Sequence, residues 1–199
     1  MQSVTTTFLV ALAVLACLPT ESSSEQEMNL QLERFEQIDG ADIIDSSKLR
    51  VRKYNRTTFV LDGSIELLKD LDNAYEVTVK VAYSTLGNNQ FNEYPMKLPR
   101  KSICAFMVDE YVEYQYIWAD STNLPHVEKG TEEFCPFPKG EYWFKELVPD
   151  PSFLPPVIPA GLWRMTWEFL RPNDEVVMQL RFFYRVTKGK ANLQQYLKS

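Results

Sequence analysis

One histidine, three cysteines and seven glycines among 199 residues leave little material for several kinds of chemistry. His126 stands alone in a polar stretch beside Pro125, where it reads as a surface residue rather than a catalyst, and one histidine cannot make a multi-histidine metal site. No G-x-S-x-G elbow, H-E-x-x-H helix, Gly-rich phosphate loop or paired-cysteine metal spacing occurs. Carboxylate neighbours such as Asp109/Glu110 and Asp42/Asp45 are present, but in a chain of formal charge −6 they read as solvated surface. The same negative balance argues against nucleic acid as a partner. The expectation is a protein that is not an enzyme and uses no cofactor and no metal.

Long apolar runs are equally scarce. Residues 8–18 form an unbroken run of uncharged apolar residues, too short for the roughly 20 residues that span a bilayer. It is followed by Pro19 and a small polar cluster, so residues 1–24 read as a secretory signal peptide and residues 25–199 as one domain, with no transmembrane segment. Secretion sets the cysteine count: Cys17 leaves with the leader, and Cys104 and Cys135 remain in an oxidising compartment as one expected disulfide, two buried thiols being the alternative. The bridge would contribute about 3–4 kcal/mol by loop closure, so an apolar core must supply most of the stability. Asn55-Arg56-Thr57 is a glycosylation sequon and implies an exposed turn.

Aromatic residues are plentiful, with twelve Phe, ten Tyr and four Trp. They fall at strand spacing. Across 57–67, Phe59, Leu61, Ile65 and Leu67 share one side with Gly63, which marks a bulge or a close backbone approach. Across 75–83 the valines Val77, Val79 and Val81 alternate with Glu76, Thr78 and Lys80. Trp163, Met165, Trp167 and Phe169 share one face of 161–170, while Phe182 and Tyr184 lie on the apolar face of 177–186. Shorter strands are expected at 34–38, 49–54 and 142–144, with 25–32 extended or frayed and 68–73 a hairpin connection. Residues 94–99, with two prolines, suit a sheet edge. Over 102–116 the period changes: Ile103, Phe106, Met107, Glu110, Tyr111 and Tyr114 form a helical stripe capped by Ser102, with Asp109, Glu113 and Gln115 opposite, although an aromatic strand fits the same residues. Seven or eight antiparallel strands and one short helix make a mainly β fold, a β-sandwich or cup.

Residues 135–169 carry seven of the twelve prolines. They read as two strands joined by a Pro-rich crossover that rims the sheets, or as an ordinary surface loop. The alternating faces support two functions. In one, the sheets splay, and Phe59, Leu61, Ile65, Val77, Val79, Val81, Trp163, Met165, Trp167, Phe169, Phe182 and Tyr184 line an apolar ligand cavity whose walls methionine makes adaptable. In the other they fill a solid core, and the protein is an extracellular interaction module.

Ile103-Cys104-Ala105-Phe106, Cys135-Pro136 with Gly140 and Tyr142, the Pro-rich run 154–159 and Gly161 with Trp163-Arg164 resemble the insect CheA/CheB-type secreted chemosensory family, itself similar to the ML lipid-recognition and ganglioside-activator superfamily. The resemblance implies an ML-type, immunoglobulin-like sandwich, a Cys104–Cys135 bridge and a cup mouth bordered by residues 155–161. It also implies an extracellular binder of a hydrophobic small molecule or lipid such as a cuticular-hydrocarbon pheromone, with a membrane receptor or channel as partner in gustatory chemosensation.

Overall fold

Strict alternation on the later strands requires one face of a sheet to be buried, and the computed structural model places that face at the centre of the fold. It describes residues 26–131, 133–155 and 157–190. The expected signal peptide and the tail beyond 190 lie outside the described residues. Residues 28–189 make one compact unit.

Nine strands are found among the described residues: β1 (Gln26–Asp39), β2 (Ile44–Asp45), β3 (Arg50–Lys53), β4 (Phe59–Leu67), β5 (Glu76–Ser84), β6 (Asn92–Ser102), β7 (Gly140–Leu147), β8 (Gly161–Leu170) and β9 (Val176–Lys190). They form two sheets, and the fold is a mainly antiparallel β-sandwich or cup. One sheet has the order β1-β9-β8-β5-β6; in the other, β4 is flanked by β2 and β3 on one edge and by β7 on the other. In the five-stranded sheet Val77, Phe169 and Met178 stand in one row, then Val79, Trp167 and Leu180, then Val81, Met165 and Phe182, then Tyr83, Trp163 and Tyr184. The periodicity of three separate segments thus becomes one continuous apolar face.

The second sheet covers part of that face. Leu67 and Tyr142 pack with Ile44, Val77, Met178, Trp167 and Phe169, and Leu61 and Ile65 pack with Leu32, Leu49, Phe144, Phe182 and Tyr184. Gly63 does both things its position suggested. It sits at a register shift in the β4–β7 ladder at φ +122°, and a Cβ there would lie 2.1 Å from the Lys48 carbonyl oxygen.

Several expectations are corrected. Residues 68–73 are not a hairpin connection: β4 and β5 belong to different sheets, and Leu71 exchanges backbone hydrogen bonds with Phe137 instead. The turn-forming Asp and Asn suit either kind of connection. Residues 26–39 are one strand, not a frayed lead into a short one, because Leu30 and Leu32 reach the core at 7% and 3% exposure. Alternation breaks in this strand, since Glu33 and Arg34 both contact outward residues, Arg185 and Phe183, while Phe35 turns in against Phe182.

The helical reading of 102–116 holds, with a different stripe. The segment starts as Ile103–Phe106 with the Ser102 hydroxyl accepting from Ala105 N, widens into a π-helical turn Met107–Tyr111, and ends through Val112–Tyr114 and a 3-10 turn Gln115–Ile117; together these are α1. The buried positions are Ile103, Met107, Tyr111 and Gln115, four apart, as the wider π turn requires. Gln115, expected on the solvent side, is buried because its amide behaves as a strand segment: Nε2 donates to the Val127 carbonyl at 2.8 Å and Oε1 accepts from Val127 N at 3.0 Å. That pair anchors the connector that leads to Cys135. Cys104 and Cys135 form the disulfide, with Cα atoms 5.4 Å apart.

Two stability predictions follow from this packing. Gly63→Ala should cost about 2–4 kcal/mol, from the left-handed backbone and the clash with Lys48, read as a lower urea midpoint with an unchanged slope. Gln115→Leu strands two buried backbone groups and should cost about 2–3 kcal/mol, with amide-exchange protection lost first at Val127; protection equal to the parent would refute that anchoring role.

Candidate apolar site

Part of the upper rows of the inner face, around Val81 and Trp163, is covered by something other than a strand. Residues 148–160 leave β7, cross from the four-stranded to the five-stranded sheet, and return as β8. The Asp150 carboxylate caps a 3-10 turn at Pro151–Phe153 by accepting from Ser152 N at 2.8 Å, and Ser152 Oγ hydrogen-bonds Tyr116 Oη at 3.1 Å. At the far end the Trp163 indole donates to the Pro159 carbonyl at 3.1 Å and the Tyr83 hydroxyl to that of Ala160 at 3.0 Å. Proline supplies fixed φ and no donors, so this segment lies across the sheet without joining a ladder.

Phe153, Leu154 and Ile158 point from the crossover onto the sheet. With Leu30 of β1, Val81 of β5, Met96 of β6, Trp163 and Met165 of β8, and Tyr184 and Val186 of β9 they enclose a wholly apolar cavity. Measured as the space open to the centre of a water molecule it holds about 20 Å³, room for one water. Trp163 is its floor, with the rings of Tyr83 and Tyr94 each 4.7 Å from it. Burial pushes the Tyr184 hydroxyl well above the ordinary tyrosine range.

Of the residues that the sequence singled out, four line this cavity: Val81, Trp163, Met165 and Tyr184. Val77 is fully buried beside α1, with Trp167 and Phe169 packed on the same cluster, and the Phe106 ring meets Trp167 edge-on at 5.8 Å. Val79 is buried at 5% exposure in the row between. Leu61, Ile65 and Phe182 belong to the close-packed cluster under β4, and Phe59 is half-buried opposite Lys53. The four-stranded sheet contributes no residue to the cavity wall, so this cavity lies between the five-stranded sheet and the crossover.

Leu30, Met96, Phe153, Leu154, Ile158 and Val186 were not singled out. Val186 continues the alternation of Phe182 and Tyr184, so its signal was present, whereas Phe153, Leu154 and Ile158 stand with the exposed Val157 among the prolines, where no repeat marks which residues face the sheet. Leu30 was masked by polar neighbours, and Met96 by the prolines of its edge strand.

Asn55 lies exposed between β3 and β4, where its Oδ1 accepts from Thr57 N at 2.9 Å, Thr57 Oγ1 at 3.2 Å and Thr58 N at 2.8 Å. His126 is exposed. Asp109 and Glu110 both pair with Lys101, and Asp42 pairs with Lys69. Among the described residues, no group of three or more His, Cys, Asp or Glu side chains could hold a metal ion, and no helix is long and apolar enough to cross a membrane.

None of the curated proteins compared with the chain matches it. Residues 77–165, from the start of β5 into β8 and so including α1, the disulfide and the crossover, are similar to the family described as a protein of unknown function (DUF1091).

Proposed function

We propose that this chain is a secreted, non-enzymatic carrier of an apolar ligand, a lipid or a cuticular hydrocarbon, that seats against Val81, Trp163, Met165 and Tyr184 beneath the Pro-rich crossover. The observation that carries the reading is the cavity's lining: ten residues from five strands and the crossover converge on it without a polar group. The leader-like residues 1–24 and the Cys104–Cys135 bridge support secretion, and the resemblance to the CheA/CheB-type family supports a role in chemosensation with a membrane receptor or channel as partner.

A volume of about 20 Å³ does not hold a lipid, so loading requires Phe153 and Leu154 to swing away from the sheet. Exposing two large apolar side chains costs about 3–6 kcal/mol, and each ligand methylene buried returns about 0.8 kcal/mol. Chains therefore open the site only above a threshold of about four to eight carbons. Met96 and Met165 adapt the wall to what enters.

The small volume equally supports the second reading, an extracellular interaction module whose core is solid. Leu86 and Val157, 81% and 79% exposed, would then be contact residues. The two readings separate on ligand uptake. Alkyl probes of increasing length, measured by native mass spectrometry and displacement fluorescence, should bind saturably only beyond the threshold length. Met165→Trp, which occupies the cavity, should weaken binding at least tenfold with the β-sheet circular dichroism unchanged. No uptake at any length by a folded protein would establish the solid-core reading.

Glycan at Asn55 belongs to the same proposal of secretion. Enzymatic deglycosylation should shift the electrophoretic mobility of the chain made in its secretory host, and Asn55→Gln should abolish that shift.

A further inference from the structure

The outer face of the five-stranded sheet carries polar side chains in the same strict rows as its inner face. Lys80, Thr166 and Arg181 stand in one row across β5, β8 and β9, and Ala82, Arg164 and Phe183 in the next, so Arg164 and Arg181 are diagonal neighbours on adjacent strands. Arg34 of β1 lies over the Phe183 ring at 3.8 Å. Phe91, from the loop before β6, stacks under Arg164 at 4.7 Å and contacts Phe183 at 5.8 Å. Arg164 is thereby packed against Phe91, and Arg181 is held by Gln179 two residues away on its own strand.

Their hydrogen bonding is incomplete. Arg34, Arg52, Arg100 and Arg185 each face a carboxylate, and Lys80 pairs with the buried Glu168 at 2.8 Å. Arg164 makes no ion pair or hydrogen bond among the described residues, and Arg181 makes one, from Nη2 to the neutral Gln179 amide at 2.9 Å. The Nε of both is sealed from water without an acceptor, whereas the Nη groups of Arg164 are not sealed. Burial first, and then the nearby Arg181, disfavour the charged form of Arg164, with Glu36 as the opposing influence. A chain of formal charge −6 thus keeps two partly dehydrated guanidinium groups at diagonal positions of neighbouring strands, neither of them ion-paired among the described residues.

Free donors on two guanidinium groups, both Nη of Arg164 and the Nη1 of Arg181, call for an acceptor with more than two oxygens. A carboxylate fills one guanidinium fork, whereas a tetrahedral oxyanion offers acceptors to both at once and carries the charge to offset them. We propose that Arg164 and Arg181 form a phosphate-binding site on the outer face of the five-stranded sheet, walled by Phe91 and Phe183. The site is separate from the apolar cavity, which lies on the opposite face, and it does not rest on the carrier reading.

The phosphate is either a free anion or the headgroup of a phospholipid, and one titration with two probes tells these apart. The full chain, labelled with nitrogen-15, is titrated with inorganic phosphate at constant ionic strength while the arginine Nε–H resonances are followed. The expected result is saturable movement of the Arg164 and Arg181 signals together, at least fivefold larger than at Arg52 and Arg100. Arg164→Gln should weaken the response of Arg181 at least tenfold, and Arg181→Gln should do the same to Arg164, so that either variant suffices if the other fails to fold. Vesicles of phosphatidylcholine with phosphatidic acid form the second arm. Saturation by inorganic phosphate without vesicle binding assigns a free anion, and vesicle binding that both variants lose assigns a headgroup. Equal, non-saturating shifts at all arginines together with vesicle binding indifferent to both variants would mean an adventitious ion only and would overturn the proposal.

Discussion

The in-register pairing of β5, β8 and β9 is the constraint on which the rest depends. Side chains on a strand alternate with period two, so a slip of one residue in either ladder would carry Trp163, Met165, Trp167 and Phe169 to the other side of the sheet. Because both ladders keep register over the aromatic rows, the inner face is continuous. It then needs more cover than the four-stranded sheet provides. The crossover supplies the remainder, at the cost of the looser packing that proline-rich backbone imposes, and this is where the apolar cavity lies.

The central strands were legible in the sequence because their alternation is nearly unbroken and because each is long. The edge character of β6 was legible for a different reason, since Pro95 and Pro99 cannot donate to a ladder on both sides. Less legible was which sheet a strand joins. Residues 68–73 have the composition of a hairpin turn yet pass between sheets, and what decides is the nonlocal pairing of Leu71 with Phe137, which no local pattern reports. Gln115 was misread as a surface residue because polarity was taken as the signal, whereas its amide is buried by replacing a strand's backbone hydrogen bonds.

The cavity was half legible. Residues on strands announced themselves by spacing, and those on the crossover did not, since a segment without a repeat has no face to predict. Phe59, Leu61, Ile65, Val77 and Phe182 share the pattern of Val81 and Met165 and differ only in what lies above them. The two arginines on the outer side were visible as polar alternates of the same strands. That they lack carboxylate partners follows from where Glu33, Glu36 and Glu168 are spent on other cations, which only three-dimensional placement reveals.

The ordering of the five-stranded sheet leaves β1 and β6 at its margins, and each is unsuited to accept a further strand. In β6 two prolines interrupt the row of donors, with Lys97 and Arg100 between and after them. In β1 the alternation breaks at Glu33 and Arg34, placing two charged side chains in succession where a flat neighbour would have to lie. Extended protein chains at high concentration add edge to edge wherever a margin is straight and uncharged. The same sequence irregularities that concealed the full length of β1 and marked β6 as an edge therefore guard a sheet rich in aromatic residues against polymerising with copies of itself.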